Sequence, residues 1–219
     1  MCRFKSGIIL KSKSVVAEGA DDSHSALLEK LNIEDTRENA MRKFVRAELL
    51  PPNNEWWTDP DTWEVNVDQD ILPEWFETDR ERYLDEFRAA VKDWWTQHIL
   101  IDKQIEELSG GYYRLKRSKV KELLRDVVVM LDNSTVHNMR DNSTVHNMRD
   151  NSTVHNMRDN STVHNMWDNS TVQDMLGNST VQDMLGNSRY IICGITPLYR
   201  ICGITPRYII CWVTPRYEI

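Results

Sequence analysis

Four histidines recur one per nine residues in the second half of the chain, and imidazole is a ligand for Zn²⁺, Cu²⁺ and Ni²⁺. If two nine-residue units close one coil, histidines two units apart lie one above the other, close enough for a transition metal to bridge. The alternative is a polar ladder that faces solvent. We favour it because no unit carries a carboxylate or carbonyl placed to orient an imidazole, and we predict no metal site and no other cofactor. The candidate ligands are His137, His146, His155 and His164.

The same units also place an arginine directly before an aspartate. This pattern favours a charge-balanced edge, because stacked like charges repel one another. A second interpretation is a flat recognition face, on which identical side chains at fixed spacing meet a repetitive partner. The pairs are Arg140-Asp141, Arg149-Asp150 and Arg158-Asp159.

The sequence indicates no catalytic residue. The acidic segment 68–86 holds many carboxylates without a recognisable nucleophile or metal set, and no phosphate loop, Ser-His-Asp signature or zinc spacing occurs. Tryptophans in the first half of the chain could line an interface or stack on sugars, although core packing explains them equally well. They are Trp56, Trp57, Trp63, Trp75, Trp94 and Trp95.

The repeats of residues 132–188 must position these side chains. Four units read DNSTVHNM followed by Arg or Trp, and two read Asp or Gly followed by NSTVQDML. A straight strand or helix would turn successive valines to opposite sides, because nine is odd and equals two and a half helical turns. Two units per coil instead stack every second valine on its equivalent at about 4.8 Å. We therefore predict a β-solenoid with about 18 residues per coil; a disordered polar array is the alternative.

Each unit offers one valine and one methionine, three positions apart, for a narrow apolar interior. Strict alternation would turn the methionine outward, so we predict a bend at His137-Asn138 and its equivalents. Asp-Asn and Gly-Asn pairs, such as Asp141-Asn142, suit the corners because they tolerate left-handed conformations. The predicted core is Val136, Met139, Val145, Met148, Val154, Met157, Val163, Met166, Val172, Met175, Val181 and Met184.

Residues 189–219 carry a different nine-residue unit, RYIICGITP, which the repeat DNA encodes when it is read one nucleotide out of phase. A methionine codon before an arginine CGN or leucine CTN codon contains TGC in that frame, so Cys193, Cys202 and Cys211 correspond to repeat methionines. We interpret the tail as frameshift-derived and expect extra coils or disorder. The spacing of the cysteines fits neither a zinc site nor a disulfide framework.

Residues 1–108 are predicted to form a small α+β domain. Residues 109–131 begin at a double glycine and are predicted to be a linker and the N-terminal cap of the solenoid. The predicted elements of the domain are hairpin strands at 7–10 and 15–17, a helix over 26–31 capped by Ser23 or Ser25, strands at 44–50 and 63–67, and a long helix with a capping box of Thr78 and Glu81.

The formal net charge is −7, from 34 acidic and 27 basic residues. This balance argues against general nucleic-acid binding, which needs clustered Lys and Arg. No segment approaches the length of a membrane span, and the first residues do not resemble a signal peptide. The single cysteine before the tail, Cys2, fits a reducing compartment. We therefore expect a cytoplasmic protein without membrane association.

The opening MCRFKSGIIL, the segment NVDQDILPEWF and the passage into DNSTV arrays resemble a family of uncharacterised proteins from gut bacteria and their phages. The resemblance covers residues 1–188 and implies an N-terminal domain followed by nonapeptide arrays. It implies no activity, so no functional residue is carried over from it.

These patterns lead to three functional hypotheses. The first is a non-enzymatic interaction protein with a rigid array of variable length, which binds an unidentified protein or a second copy through the solenoid edge. The second is a phage- or defence-related nucleic-acid-processing enzyme with its site in residues 1–108. The third is an acidic nucleic-acid mimic, against which the arginines beside the aspartates count.

Overall fold

The computed structural model describes residues 5–19, 21–193, 198–199 and 207–211. The chain divides into two compact units, Met1–His98 and Ile99–Ile219. All described helices lie in the first unit, and the described strands of the second unit pair in parallel. The predicted fold class, a small domain of helices and strands followed by a β-solenoid, is confirmed.

The first unit contains a four-stranded antiparallel sheet in the order β2-β1-β3-β4. Its strands are β1 (Lys5–Leu10), β2 (Lys13–Val16), β3 (Phe44–Leu50) and β4 (Glu64–Val67). The first two strands form the predicted hairpin, and β3 ends before Pro51, whose nitrogen has no hydrogen to donate to a ladder. Short 3-10 helices, Pro52–Asn54 and Pro60–Thr62, connect β3 to β4.

The helices of this unit are α1 (His24–Lys30), α2 (Arg37–Arg42), α3 (Glu74–Thr78) and α4 (Arg80–His98). Ser23 caps α1, because its Oγ accepts a hydrogen bond from the Ala26 N–H at 3.2 Å. The capping box predicted at Thr78 is not formed. Thr78 is the last residue of α3, and its hydroxyl donates to the Glu74 carbonyl at 2.8 Å.

Side chains of β1 contact α4 closely. A Cβ at Gly7 would lie 2.3 Å from Phe87 Cε2, so only glycine fits at this position. Lys5 is fully buried, and its Nζ lies 2.8 Å from Asp22 Oδ1 and 3.8 Å from the centre of the Trp94 ring. The carboxylate and the ring offset the desolvation of the ammonium group.

The second unit is a solenoid of two seven-stranded parallel sheets, in the orders β18-β16-β14-β12-β10-β8-β6 and β17-β15-β13-β11-β9-β7-β5. Successive strands alternate between the sheets. The strands are β5 (Ile99–Ile101), β6 (Gln104–Ser109), β7 (Tyr112–Lys116), β8 (Lys119–Leu124), β9 (Val128–Asp132), β10 (Thr135–Met139), β11 (Thr144–Arg149), β12 (Thr153–Met157), β13 (Thr162–Met166), β14 (Thr171–Met175), β15 (Thr180–Met184), β16 (Arg189–Cys193), β17 (Leu198–Tyr199) and β18 (Arg207–Cys211).

The strand register shows the length of each coil. Thr135 pairs with Thr153, its equivalent two units later, so two nonapeptides complete one coil, as predicted. The opening coils are shorter, because Lys119 pairs with Gln104 on one side and Thr135 on the other, and both offsets are smaller than two nonapeptides. The nine-residue period therefore sets the coil length only where the units repeat.

The bend and the corners lie at the predicted positions. The ladder between β10 and β12 pairs Val136 with Val154 and Asn138 with Asn156 but omits the histidines between them. This break in the alternation turns both the valine and the methionine of a unit inward. The corner residues Asp141, Asp150, Asp159 and Asp168 have φ values of 56–58°, and Gly177 and Gly186 take the same positions at 67° and 68°.

The interior of the solenoid is one continuous apolar cluster. Each of the valines and methionines predicted to form the core is at most 2 % exposed. The opening coils extend this cluster with Leu115, Val120, Leu123, Val127, Val129 and Leu131.

The solenoid begins at Ile99, earlier than the predicted boundary at residue 108. Both β5 and β6 pair with later coils, so residues 109–131 are not a linker but contain β7, β8 and most of β9. Ile105 stacks on Val120, and Leu108 on Leu123, which repeats the spacing of three between inward residues. Gly110 and Gly111, which suggested a domain boundary, have positive φ values typical of a tight turn between strands.

The described strands of the tail keep the same offset of two units. Arg189 pairs with Thr171, Leu198 with Thr180, and Arg207 with Arg189. Cys202 and its neighbours lie outside the described residues. Among the described residues, no helix combines the length and apolar character that a membrane crossing needs.

Candidate functional site

The outer surface of the repeats consists of columns of side chains, because each residue lies over its equivalent two units away. Three outward columns run along each of the two sheets. We call these six columns together the repeat face. On one sheet they are Thr135-Thr153-Thr171, His137-His155-Gln173 and Asn138-Asn156-Asp174; on the other they are Thr144-Thr162-Thr180, His146-His164-Gln182 and Asn147-Asn165-Asp183.

The asparagine columns are hydrogen-bonded along the stack. Asn156 Nδ2 donates to Asn138 Oδ1 at 3.0 Å and to the His137 carbonyl at 3.2 Å. Asn165 makes the equivalent bonds on the other sheet, to Asn147 Oδ1 and to the His146 carbonyl, both at 3.2 Å. One amide therefore satisfies both a side chain and a backbone carbonyl of the coil before it, which fixes its rotamer.

The histidines stack in the pairs that a coil of two units requires. The rings of His137 and His155 have centroids 4.9 Å apart and planes 8° apart, and those of His146 and His164 are 4.8 Å apart and tilted by 42°. His155 Nδ1 donates to Gln173 Oε1 at 2.7 Å, so a side-chain carbonyl orients this imidazole, contrary to the expectation from sequence. Near-parallel rings keep equivalent nitrogens about as far apart as their centroids, whereas two bonds of about 2.1 Å to one metal ion span at most about 4.2 Å. For His137 and His155 this geometry fits a polar ladder better than a bridging metal.

The corner aspartates connect one coil to the next. The backbone N–H of Asp141 donates to Asp159 Oδ2, and that of Asp150 to Asp168 Oδ2, each at 3.3 Å. Partial burial, followed by the nearby Asp150 carboxyl, raises the pKa of the Asp132 carboxyl. These contacts give the aspartates a structural role at the edge of the solenoid.

Sequence reasoning missed two columns of buried serines behind the repeat face, one associated with each sheet. All are at most 2 % exposed. The Ser134 N–H donates to Ser152 Oγ at 3.2 Å, and the Ser152 hydroxyl donates to the Arg149 carbonyl at 2.7 Å. Strand alternation could have identified these serines, because all of them except Ser188 lie two positions before an inward valine. They are Ser118, Ser134, Ser143, Ser152, Ser161, Ser170, Ser179 and Ser188.

The tryptophans of the first unit mainly contribute to its packing. Trp56 and Trp63 are buried and meet edge to face at 5.5 Å, and Trp94 lies 6.2 Å from Trp56. The indole N–H of Trp95 donates to the Trp56 carbonyl at 2.9 Å, and that of Trp75 to the Arg42 carbonyl at 2.8 Å. These contacts support the core-packing interpretation over a sugar-binding surface.

Comparison with known proteins adds no further constraint on this site. No family model, curated protein or solved structure matches the chain. Geometry alone therefore supports the functional interpretation of the repeat face.

Replacing His146 by glutamine is expected to make the solenoid less sensitive to acid. Partial burial, and then the charge of His164, lowers the pKa of His146 in the folded chain. In the unfolded chain the pKa of a histidine is about 6.5. The free energy of unfolding therefore decreases as the pH falls below that value and through the lowered pKa of His146 in the folded chain. Glutamine already occupies equivalent positions, Gln173 and Gln182, so it fits the coil.

Urea unfolding at about pH 7.5 and about pH 5 measures this effect. The midpoint should fall more for the unmodified chain than for His146→Gln. The raised pKa of Asp132 increases the free energy of unfolding as the pH falls. This effect is the same in both proteins, so it cancels in the comparison. Thr144→Ser, which keeps both imidazoles, should retain the original pH dependence; an equal fall in all three proteins would contradict the assignment.

Proposed function

We propose that the protein is a non-enzymatic interaction protein, whose solenoid presents the repeat face to a protein partner with a regularly repeating surface. The observation that carries this proposal is the in-register stacking of equivalent side chains along β10 to β15, which are identical from β10 to β13. A surface with one repeat distance can make the same contact many times with a partner of matching spacing.

Hydrogen bonds within the repeat face also support a binding role. The bonds from Asn156 to Asn138 and from His155 to Gln173 hold these side chains in place before any partner arrives. A side chain that is already immobilised loses little rotamer freedom on binding, which lowers the entropic cost of association.

The charge pattern favours this proposal over nucleic-acid mimicry. A mimic needs an unbroken row of negative charge, whereas each corner aspartate from Asp141 to Asp159 follows an arginine in the chain. The repeat face itself is made chiefly of neutral hydrogen-bonding groups. Such a surface suits another protein, or a second copy of this chain, better than it suits a polyanion.

A series of arrays of different length tests the proposed function. One variant lacks residues 141–158, and another carries a second copy of them, so that one full coil is removed or added. We expect capture of the partner from cell lysate to strengthen at least about tenfold from the shortest to the longest array, because each coil adds equivalent contacts. Sedimentation of the same series shows whether the partner is a second copy.

Two further variants test whether the partner binds to the repeat face. Thr153→Glu combined with Thr162→Glu alters the repeat face and should abolish the length-dependent capture, whereas Asn142→Ser at a corner should leave it unchanged. Capture and sedimentation that do not vary with array length would overturn the proposed function.

A further inference from the structure

Three potential metal ligands that are distant in sequence meet on the sheet of the first unit. His24 begins α1, Glu48 lies on β3, and Asp68 follows β4. One ligand atom from each residue lies within 4.8 Å of the other two. An imidazole nitrogen with two carboxylate oxygens is a donor set that suits divalent transition metals.

The orientation of His24 leaves one ring nitrogen directed at the cluster. Its Nε2 lies 3.1 Å from the Ala47 carbonyl oxygen, which can only accept, so Nε2 carries the hydrogen. In the neutral ring Nδ1 then keeps a lone pair, and it lies 3.7 Å from Asp68 Oδ2. This separation is too long for a hydrogen bond, but it is close to the roughly 3.4 Å between two ligands of one tetrahedral Zn²⁺.

Glu48 gives an independent reason to expect a cation. The residue is only 8 % exposed, and one of its oxygens, Oε2, accepts a hydrogen bond from Asn66 Nδ2 at 3.1 Å. Within the described residues, neither Glu48 nor Asp68 forms an ion pair with a lysine or arginine, and the nearby Arg46 pairs with Asp35. A buried carboxylate is costly without an opposite charge, and one divalent ion balances two carboxylates beside a neutral imidazole.

We propose that His24, Glu48 and Asp68 bind a divalent transition metal ion, with Zn²⁺ the best match to this donor set. The Ala47 carbonyl and the Asn66 amide then orient two of the three ligands, which is how outer groups support metal sites in general. Three protein ligands leave a further coordination position for water. This site is independent of the function proposed for the solenoid, because all three residues lie in the first unit.

Histidines elsewhere in the chain would obscure a simple titration, so the test begins with a variant that removes them. In this background His137, His146, His155 and His164 are replaced by glutamine, the residue that the last two repeats already carry. The four cysteines, whose thiolates also bind Zn²⁺, are replaced by serine. Of the six histidines only His24 and His98 then remain. We expect this full-length background to bind one Zn²⁺ by calorimetry, and Co²⁺ to give visible absorption bands.

Two further substitutions in this background decide the assignment. Asp68 is exposed, with 59 % of its side chain accessible, so Asp68→Asn should fold normally and weaken Zn²⁺ binding at least about tenfold. His24→Gln should abolish the Co²⁺ bands, whereas His98→Gln should leave them unchanged. Absence of Zn²⁺ binding in the background, or equal binding after Asp68→Asn, would overturn the site and assign His24 and Asp68 to a simple ion pair.

Discussion

Val154→Asp is expected to lower the free energy of unfolding of the solenoid by at least about 4 kcal/mol. Val154 is 0 % exposed, and it stacks between Val136 of β10 and Val172 of β14. The interior of each coil is only a few side chains wide, so the carboxylate would meet apolar groups above and below it. Ionisation there requires desolvation, and protonation still leaves a polar group among apolar side chains.

The neighbouring residue provides a matched control. Thr153 lies on the same strand but points to the repeat face, so Thr153→Asp should change the free energy of unfolding by no more than about 1 kcal/mol. Urea unfolding followed by far-ultraviolet circular dichroism measures both variants. Similar losses in the two proteins would show that Val154 and Thr153 do not lie on opposite sides of β12.

The repeating half of the fold could be predicted from sequence because one physical constraint dominates it. A nine-residue unit allows its valines to stack only if two units complete a coil, and that condition also fixes the bend and the corners. The serines were missed for a different reason. Serine is polar, and only apolar residues were expected in the interior. The hydroxyls of Ser118, Ser134, Ser152 and Ser170 donate to backbone carbonyls. Those of Ser143, Ser161, Ser179 and Ser188 are buried without a hydrogen-bond partner among the described residues.

The errors lie where the sequence does not repeat. Ile105 and Leu108 have the spacing of inward solenoid residues, but a single pair carries no periodic signal, so the start of the solenoid was placed too late. The cluster of His24, Glu48 and Asp68 was equally hidden, because it depends on how strands and helices distant in sequence come together. The period of a sequence shows which residues stack on one another. A site formed by segments that do not repeat can be found only in the folded structure.

The strand register of the tail follows the nine-residue period and does not depend on the residues of the unit. The unit of residues 189–219 differs in its amino acids from the upstream unit but has the same length of nine residues. Arg189 therefore still pairs with Thr171, and Arg207 with Arg189, at the same two-unit offset that is found upstream. Backbone pairing in a parallel stack depends on spacing more than on side-chain identity, because the ladder bonds join backbone groups.

Deleting one complete unit should therefore harm the solenoid less than rearranging it. Removal of residues 141–149 joins two identical units, so every later strand moves to the other sheet and again finds valine, methionine and serine in register. We expect the free energy of unfolding to fall by about 2 kcal/mol or less, since only one valine and one methionine leave the core and the ordering of nine residues is no longer required.

The matched control keeps all nine residues of 141–149 but reorders them, so that Asp, Arg and His take the three inward positions. Composition and length are unchanged, yet charged groups now interrupt the core, and we expect a loss of at least about 4 kcal/mol or separate unfolding of the two flanking segments. Urea unfolding, with hydrogen exchange to locate the break, distinguishes the variants. If the reordered chain proved as stable as the deletion, side-chain stacking would not hold the coils together, and the backbone ladder alone would have to account for their stability.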